Sequence, residues 1–292
     1  MEHTITFAGQ PVIWADRGSG APALLFVHGA LCDHHDWDAQ LDAFCARHRV
    51  LAPDLPGHGA SCKDPAAIGV KPYARMLRAA CTALALDDVV LVGHSMGCRA
   101  VLQAAVGDDG APLHGLRGLV LVDGAYLVPE LLPDLAPERR RALAEEAFAR
   151  AAALYADVEP AERARHGIAQ MFFDARFVPQ RDAMIQRARA LPATTARTLM
   201  PDFARWDVLY LEQALAQLRV PMLALVCTHM NAAHRRVQLD AHARTPWMQA
   251  LERHVPQLTL ERVPGAGHFP MIEQPEHVHT RIRAWLDALA PR

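Results

Sequence analysis

The chain has 292 residues, 51% of them hydrophobic and 21% charged, with a formal net charge of −2. That length buries an ample core without metals or disulfides, and a near-neutral balance with no run of one sign excludes nucleic acid and anionic membranes as expected partners. The opening MEHTITFAGQ has no basic or apolar leader segment, no apolar run is long enough to span a bilayer, and the six cysteines are scattered without a CxxC pair, so the expectation is a soluble, cytoplasmic protein.

Along the chain, short β-type runs alternate with helical ones, the pattern of an α/β sheet covered by helices on both faces. TITFAG and PVIWAD flank Gly9-Gln10 and predict a hairpin at the sheet edge. RGSGAP reads as a turn, and ALLFVHG as a strand buried on both faces. WDAQLDAFCAR has helical spacing and leads into the strand RVLAPDLPG. A helix over 71–85, the strand DDVVLVG, a helix over 96–106 and the strand GLRGLVLVDG complete the first half. From Val128 the texture becomes Ala-, Arg- and Glu-rich, and two or three helices run from PERRRALAEEAFAR through RDAMIQRARAL to EQALAQL without a strand candidate. Alternation resumes with VPMLALVC and LTLERVPGAGH, then a last helix near 275–289. The expected organisation is one core domain in two parts, residues 1–127 and 220–292, interrupted by a helical cap over 128–219.

The sharpest chemical signal is VVLVGHSMGCR, where a buried strand runs into Gly-x-Ser-x-Gly around Ser95. Glycines two residues to either side suit a turn too tight for flanking side chains. Such a turn lifts the serine oxygen above the sheet and leaves the backbone N–H of Met96 at a helix N-terminus, where an oxyanion is stabilised. Three further stretches converge on it. FVHGALCDHHDW ends an earlier strand and offers the N–H of Ala30 as a second oxyanion donor. PGAGHFPMIEQPE sets His268 in a glycine-rich loop after the last strand, able to reach back over the sheet. APDLPGHGAS is a Gly/Pro turn in which Asp54 and His58 shape the loop.

His-Gly-Ala, Asp-Leu-Pro-Gly-His-Gly-Ala-Ser, Gly-His-Ser-Met-Gly and Gly-Ala-Gly-His-Phe, in this order, resemble the α/β-hydrolase superfamily over nearly the whole chain outside the cap. The variant is similar to small serine esterases, carbon–carbon hydrolases and hydroxynitrile lyases. The resemblance implies a mostly parallel eight-stranded sheet flanked by helices, with a helical cap between strands six and seven. It also implies Ser95 as nucleophile, His268 as base, and Ala30 and Met96 as the oxyanion hole.

The acid of the triad departs from the common pattern. In most relatives it lies a few residues beyond strand seven, but here VPMLALVC is followed by THMNAAHRRVQLD, whose first carboxylate is Asp240 and whose amide Asn231 stands near the expected place. The alternative is Asp123 at the end of strand six, in LVLVDGA, which keeps the chain order Ser, Asp, His. Asp123 is the expected acid, with Asp240 and a dyad helped by Asn231 as the alternatives.

With no phosphate loop, metal-spaced cluster or dinucleotide fingerprint, no cofactor and no metal are expected, and the partner is a small-molecule substrate. Pocket candidates are Leu31, Asp33, His34, His35 and Trp37 after the oxyanion loop, Tyr126 and Leu127, and Met171, Phe172 and Phe173 in the cap. Such a lining suits a small hydrophobic ester, thioester or lactone. Two other readings use the same shell: carbon–carbon hydrolysis or cofactor-free lyase chemistry, and slow-turnover ligand binding. Lyases of this kind often carry a lysine near the leaving group, and residues 72–219 contain none.

Overall fold

The computed structural model describes residues 2–124, 135–156, 159–231, 235–240 and 242–289. The chain opens with the expected edge hairpin, β1 (Glu2–Phe7) and β2 (Gln10–Arg17). Ala8 and Gly9 both have positive φ, 49° and 78°, the backbone of the tight turn that matches strand twist. β3 (Ala23–Val27), β4 (Val50–Pro53), β5 (Val89–His94), β6 (Leu116–Val122) and β7 (Met222–Val226) follow. β8 (Thr228–Met230) and β9 (Arg236–Gln238) form a separate small hairpin, and β10 (Leu258–Arg262) is the last strand. The main sheet has eight strands in the order β1-β2-β4-β3-β5-β6-β7-β10; β1 and β2 run antiparallel to their neighbours and all other pairs are parallel.

Every residue of β3 and β5 is buried, because alternate side chains point to two separate cores. Leu25, Val27, Leu91 and Leu121 pack on one face with residues of α2 (Val70–Ala83) and α3 (Met96–Val106). Leu24, Phe26, Val90, Val92 and Val122 pack on the other with Leu41 and Phe44 of α1 (Asp38–Phe44) and with Val278 and Ile282 near the C-terminus. Continuous apolar runs are therefore what strands covered on both faces require.

Between β6 and β7 the described residues hold five α-helices, one 3₁₀ turn (Ala175–Phe177) and no strand: α4 (Pro137–Ala156), α5 (Pro160–Ala169), α6 (Val178–Arg189), α7 (Ala193–Leu209) and α8 (Leu211–Gln217). After β9 come α9 (Pro246–His254), the single turn α10 (Pro270–Glu273) and α11 (Pro275–Asp287). Several elements differ from expectation. β4 stops at Pro53 and β10 at Arg262, because the Gly/Pro-rich residues beyond them turn away. The β8–β9 hairpin and α9 have no counterpart among the expected elements, although Thr245 and Pro246 carry an N-cap and N1 signature and Thr245 Oγ1 accepts from Met248 N at 3.2 Å. Among the described residues no helix is long and apolar enough to cross a membrane.

Candidate active site

The carboxyl ends of the parallel strands deliver the chemistry-bearing residues to one edge of the sheet, the usual ligand face of an open α/β fold. Ser95 follows β5 with φ 52° and ψ −113°, a strained conformation for a non-glycine residue. The flanking glycines explain how the turn closes. A Cβ on Gly93 would stand 2.6 Å from the Gly97 carbonyl oxygen, and one on Gly97 2.2 Å from that of Val27. Any side chain there would push α3 off the strands and displace the serine.

The structure brings Ser95, His268 and Asp123 into one hydrogen-bonded line. Ser95 Oγ lies 2.9 Å from His268 Nε2, and His268 Nδ1 lies 2.7 Å from Asp123 Oδ2. Asp123 terminates β6 with φ 42° and is fully buried. Its Oδ1 accepts the N–H groups of Cys227 and Thr228 at 2.8 and 2.9 Å, and its Oδ2 accepts the Thr228 hydroxyl at 2.5 Å. Arg236 of β9 donates from Nη1 to Thr228 Oγ1 at 2.6 Å and stands 3.7 Å from Asp123 Oδ2. Asp240 sits exposed beyond β9 with its carbonyl accepting from Ala243 N, while the Asn231 side chain accepts from Arg235 N at 3.1 Å and closes the β8–β9 turn.

Burial alone would raise the Asp123 carboxyl, but the His268 hydrogen bond and the charges of His268 and Arg236 outweigh it and hold it below its ordinary value. Burial, followed by the Arg236 charge, pushes the His268 imidazole down to about 4. At neutral pH the ring is therefore uncharged and, with its proton on Nδ1 facing the carboxylate, presents an Nε2 lone pair to Ser95.

The His268 loop is held from three sides. Its backbone N–H donates to the Met171 carbonyl at 2.8 Å, its carbonyl accepts from His94 Nε2 at 2.7 Å, and Glu273 takes Gly267 N at 3.0 Å and Phe269 N at 3.4 Å. Burial raises the Glu273 carboxyl to about 7.

The oxyanion-side loop is organised by two buried neutral histidines. His28 Nε2 accepts from Leu55 N at 3.0 Å, so its proton sits on Nδ1 and is donated to Gly29 O. His58 Nε2 accepts from Leu31 N at 3.1 Å, holding Leu31 at φ 62°. Burial lowers both imidazoles, as these acceptor roles require. Gly29 lies against the serine, since a Cβ there would be 3.2 Å from Ser95 Cβ. Ala30 follows Gly29 in this loop, and the buried Met96 follows Ser95 as the first residue of α3.

The pocket candidates separate. Phe172 stacks parallel on Phe269 with centroids 4.9 Å apart, and Phe269 lies 4.8 Å from the His94 ring, so this aromatic pair borders the site. Trp37 is instead a core residue, fully buried with its ring 5.1 Å from Phe26. His34 is buried with Nδ1 2.7 Å from Asp54 Oδ1, His35 pairs with Asp38 at the surface, and Asp33 pairs with Arg187. Phe173 is 41% exposed, and Tyr126 and Leu127 lie outside the described residues. Among the described residues, Glu2, His34 and His35 have metal-ligand character, with ligand atoms within 4.8 Å of one another, but both rings already face carboxylates. Sequence reasoning missed Arg236, Thr228, Glu273 and the buried pair Arg99–Asp207, whose Nε–Oδ1 and Nη2–Oδ2 distances are 2.7 and 2.6 Å. Arg99, four residues after Ser95 on α3, was the one with a readable signal.

This site and fold place the chain by class, and comparison with known proteins agrees: residues 24–278 match the family model described as the alpha/beta hydrolase family, and the chain belongs to that family. A thermophilic esterase from Thermogutta terrifontis, solved with malate bound, is similar over the full length of both chains, with TM-score 0.71 and 27% identity. Among curated proteins, the 2-succinyl-6-hydroxy-2,4-cyclohexadiene-1-carboxylate synthase of Salmonella paratyphi A is 38% identical over 144 residues, 49% of this chain and 48% of that one. The magnesium-chelatase 30 kDa subunit of Rhodobacter capsulatus is 36% identical over 100 residues, 33% of this chain and 35% of the relative. The chain thus spans half or less of the length of these curated relatives.

Proposed function

We propose that the chain is a serine hydrolase that cleaves a small, hydrophobic ester, thioester or lactone through an acyl-enzyme on Ser95. The observation that carries this reading is the line Ser95 Oγ–His268 Nε2, His268 Nδ1–Asp123 Oδ2. His268 takes the Ser95 proton as the oxygen attacks the substrate carbonyl, and the N–H groups of Ala30 and Met96 receive the oxyanion. His268 then gives that proton to the leaving group. Water, deprotonated by His268 in turn, displaces the acyl group and restores the serine. The Phe172–Phe269 pair supports an apolar substrate, and the block α4–α8 acts as the cap over it. Six free cysteines support a reducing, cytoplasmic setting.

The partial match to a synthase favours one second reading, in which the same residues catalyse carbon–carbon bond cleavage or elimination with His268 as proton carrier. Brief exposure to a fluorophosphonate, read by intact mass and peptide mapping, tests the first. One adduct on Ser95, absent from His268→Ala, is expected; a folded protein that takes no adduct overturns it. Product identity separates the two: ester hydrolysis adds one water and releases an acid with an alcohol or thiol, carbon–carbon hydrolysis adds one water but breaks a carbon–carbon bond, and elimination adds none.

A further inference from the structure

We propose that Arg236 is a positioning residue of this site, holding Thr228 against Asp123 and placing a fixed cation beside the Asp123–His268 pair. The inference rests on the hydrolase reading above. The hydrogen-bond directions are fixed by chemistry. A guanidinium can only donate, so Thr228 Oγ1 accepts from Arg236 Nη1 and must aim its own proton at Asp123 Oδ2. Asp123 is already supplied by two backbone N–H groups, this hydroxyl and His268 Nδ1. Arg236 therefore adds a charge that hydrogen-bonding alone did not require.

That charge cancels the carboxylate at close range. The Asp123–Arg236 pair is formally neutral, so a proton on His268 leaves a buried net positive charge. The other groups facing the ring do not offset it. His94 is kept neutral by burial, Arg99 is matched by Asp207, Cys227 is a buried thiol, and Glu273 is spent on the Gly267 and Phe269 N–H groups. The outcome is a weaker base that stays available in acid, and an imidazolium that is a stronger proton donor to the leaving group.

The test is the pH dependence of fluorophosphonate labelling at Ser95 in the wild type, Arg236→Lys and Arg236→Met, with ring ¹⁵N titration of His268 as a parallel readout. Removing the cation raises the midpoint by about one pH unit or more, whereas Arg236→Lys keeps it near the wild-type value. A folded Arg236→Met with an unmoved midpoint overturns the proposal, as does an equal rise in Arg236→Lys. If Arg236→Met does not fold, the wild type and Arg236→Lys decide, and a wild-type midpoint at or above the ordinary 6.5 overturns the proposal. The nitrogen titration needs no serine chemistry, so absent labelling counts against the hydrolase reading alone.

Discussion

Replacing Asp123 by asparagine changes one atom and should stop the chemistry for a reason visible in the hydrogen-bond pattern. Oδ1 accepts from two backbone N–H groups, so the oxygen of the substituted amide has to occupy that position. The amide nitrogen then takes the Oδ2 place, facing His268 Nδ1, the Thr228 hydroxyl and Arg236, all of them donors. The only relief is for His268 to move its proton to Nε2, where it points at Ser95 and leaves no lone pair to accept the serine proton. Loss of the working tautomer costs about 10³–10⁴ in kcat, which at 1.36 kcal/mol per decade is about 4–5.5 kcal/mol. A second effect accompanies it: Arg236 is left buried without its counter-charge, and breaking such a pair costs about 3–5 kcal/mol of stability. The assay is therefore initial-rate hydrolysis of a short p-nitrophenyl ester well below the melting transition, with circular dichroism confirming the fold. Turnover within about tenfold of wild type in a folded Asp123→Asn would refute the reasoning, above all if Asp240→Asn abolished activity instead.

Ser95→Ala should lose nearly all turnover, about 10⁴-fold or more, and Ser95→Gly should be more stable than Ser95→Ala by about 1 kcal/mol because only glycine relaxes at φ 52°; kinetics and urea melts check both. Gly97→Ala should lower the melting temperature and the labelling rate together, since its Cβ meets the Val27 carbonyl at 2.2 Å and backbone cannot yield cheaply. Arg99→Ala or Asp207→Ala should each cost about 3–5 kcal/mol, while Arg99→Met/Asp207→Leu recovers most of it, a contrast that thermal melts would read directly. Glu273 carries a folded-state value of about 7 against an unfolded 4.5, so the folded chain binds more protons than the unfolded chain between them. Its contribution is present below pH 4.5 and is lost as pH rises through 7. Melting temperature should thus fall more between about pH 5 and 8 in the wild type than in Glu273→Gln.

The parts of the fold legible in the sequence are those written in local pattern. β3 and β5 show as unbroken apolar runs because both faces are covered, and the Ser95 turn shows because Gly93 and Gly97 meet backbone at contact distances no side chain tolerates. His268 is legible from its glycine-rich loop, and Asp123 as the preferred acid with Asp240 and Asn231 as its alternatives. What stays hidden depends on contacts across long separations. Arg236 sits on a strand of three residues, too short for any periodicity, and its meaning comes from Asp123, far earlier in the chain. Trp37 misleads for the opposite reason: an aromatic next to the oxyanion loop looks like pocket lining, yet Phe26 and the His94 edge already enclose it.

The helical block between β6 and β7 is better understood as part of the site than as an ornament on it. The Met171 carbonyl after α5 holds the backbone of His268, and Gly267 is obligatory because its Cβ would stand 2.4 Å from that same oxygen. Arg187 of α6 reaches Asp33 and Asp36, just beyond the loop that carries Ala30. Thr195 of α7 donates to the Gly57 carbonyl at 3.0 Å, in the turn whose next residue, His58, orients Leu31. Asp207 neutralises Arg99, which is 1% exposed on the helix that begins at the serine. The block thus touches the His268 backbone, the loop after β3, the turn at Gly57 and the helix that begins at the serine, while Asp123 is held by Cys227, Thr228 and Arg236. A hinged lid would have to break these bonds to open, and opening at the Arg99–Asp207 pair would strand a buried charge.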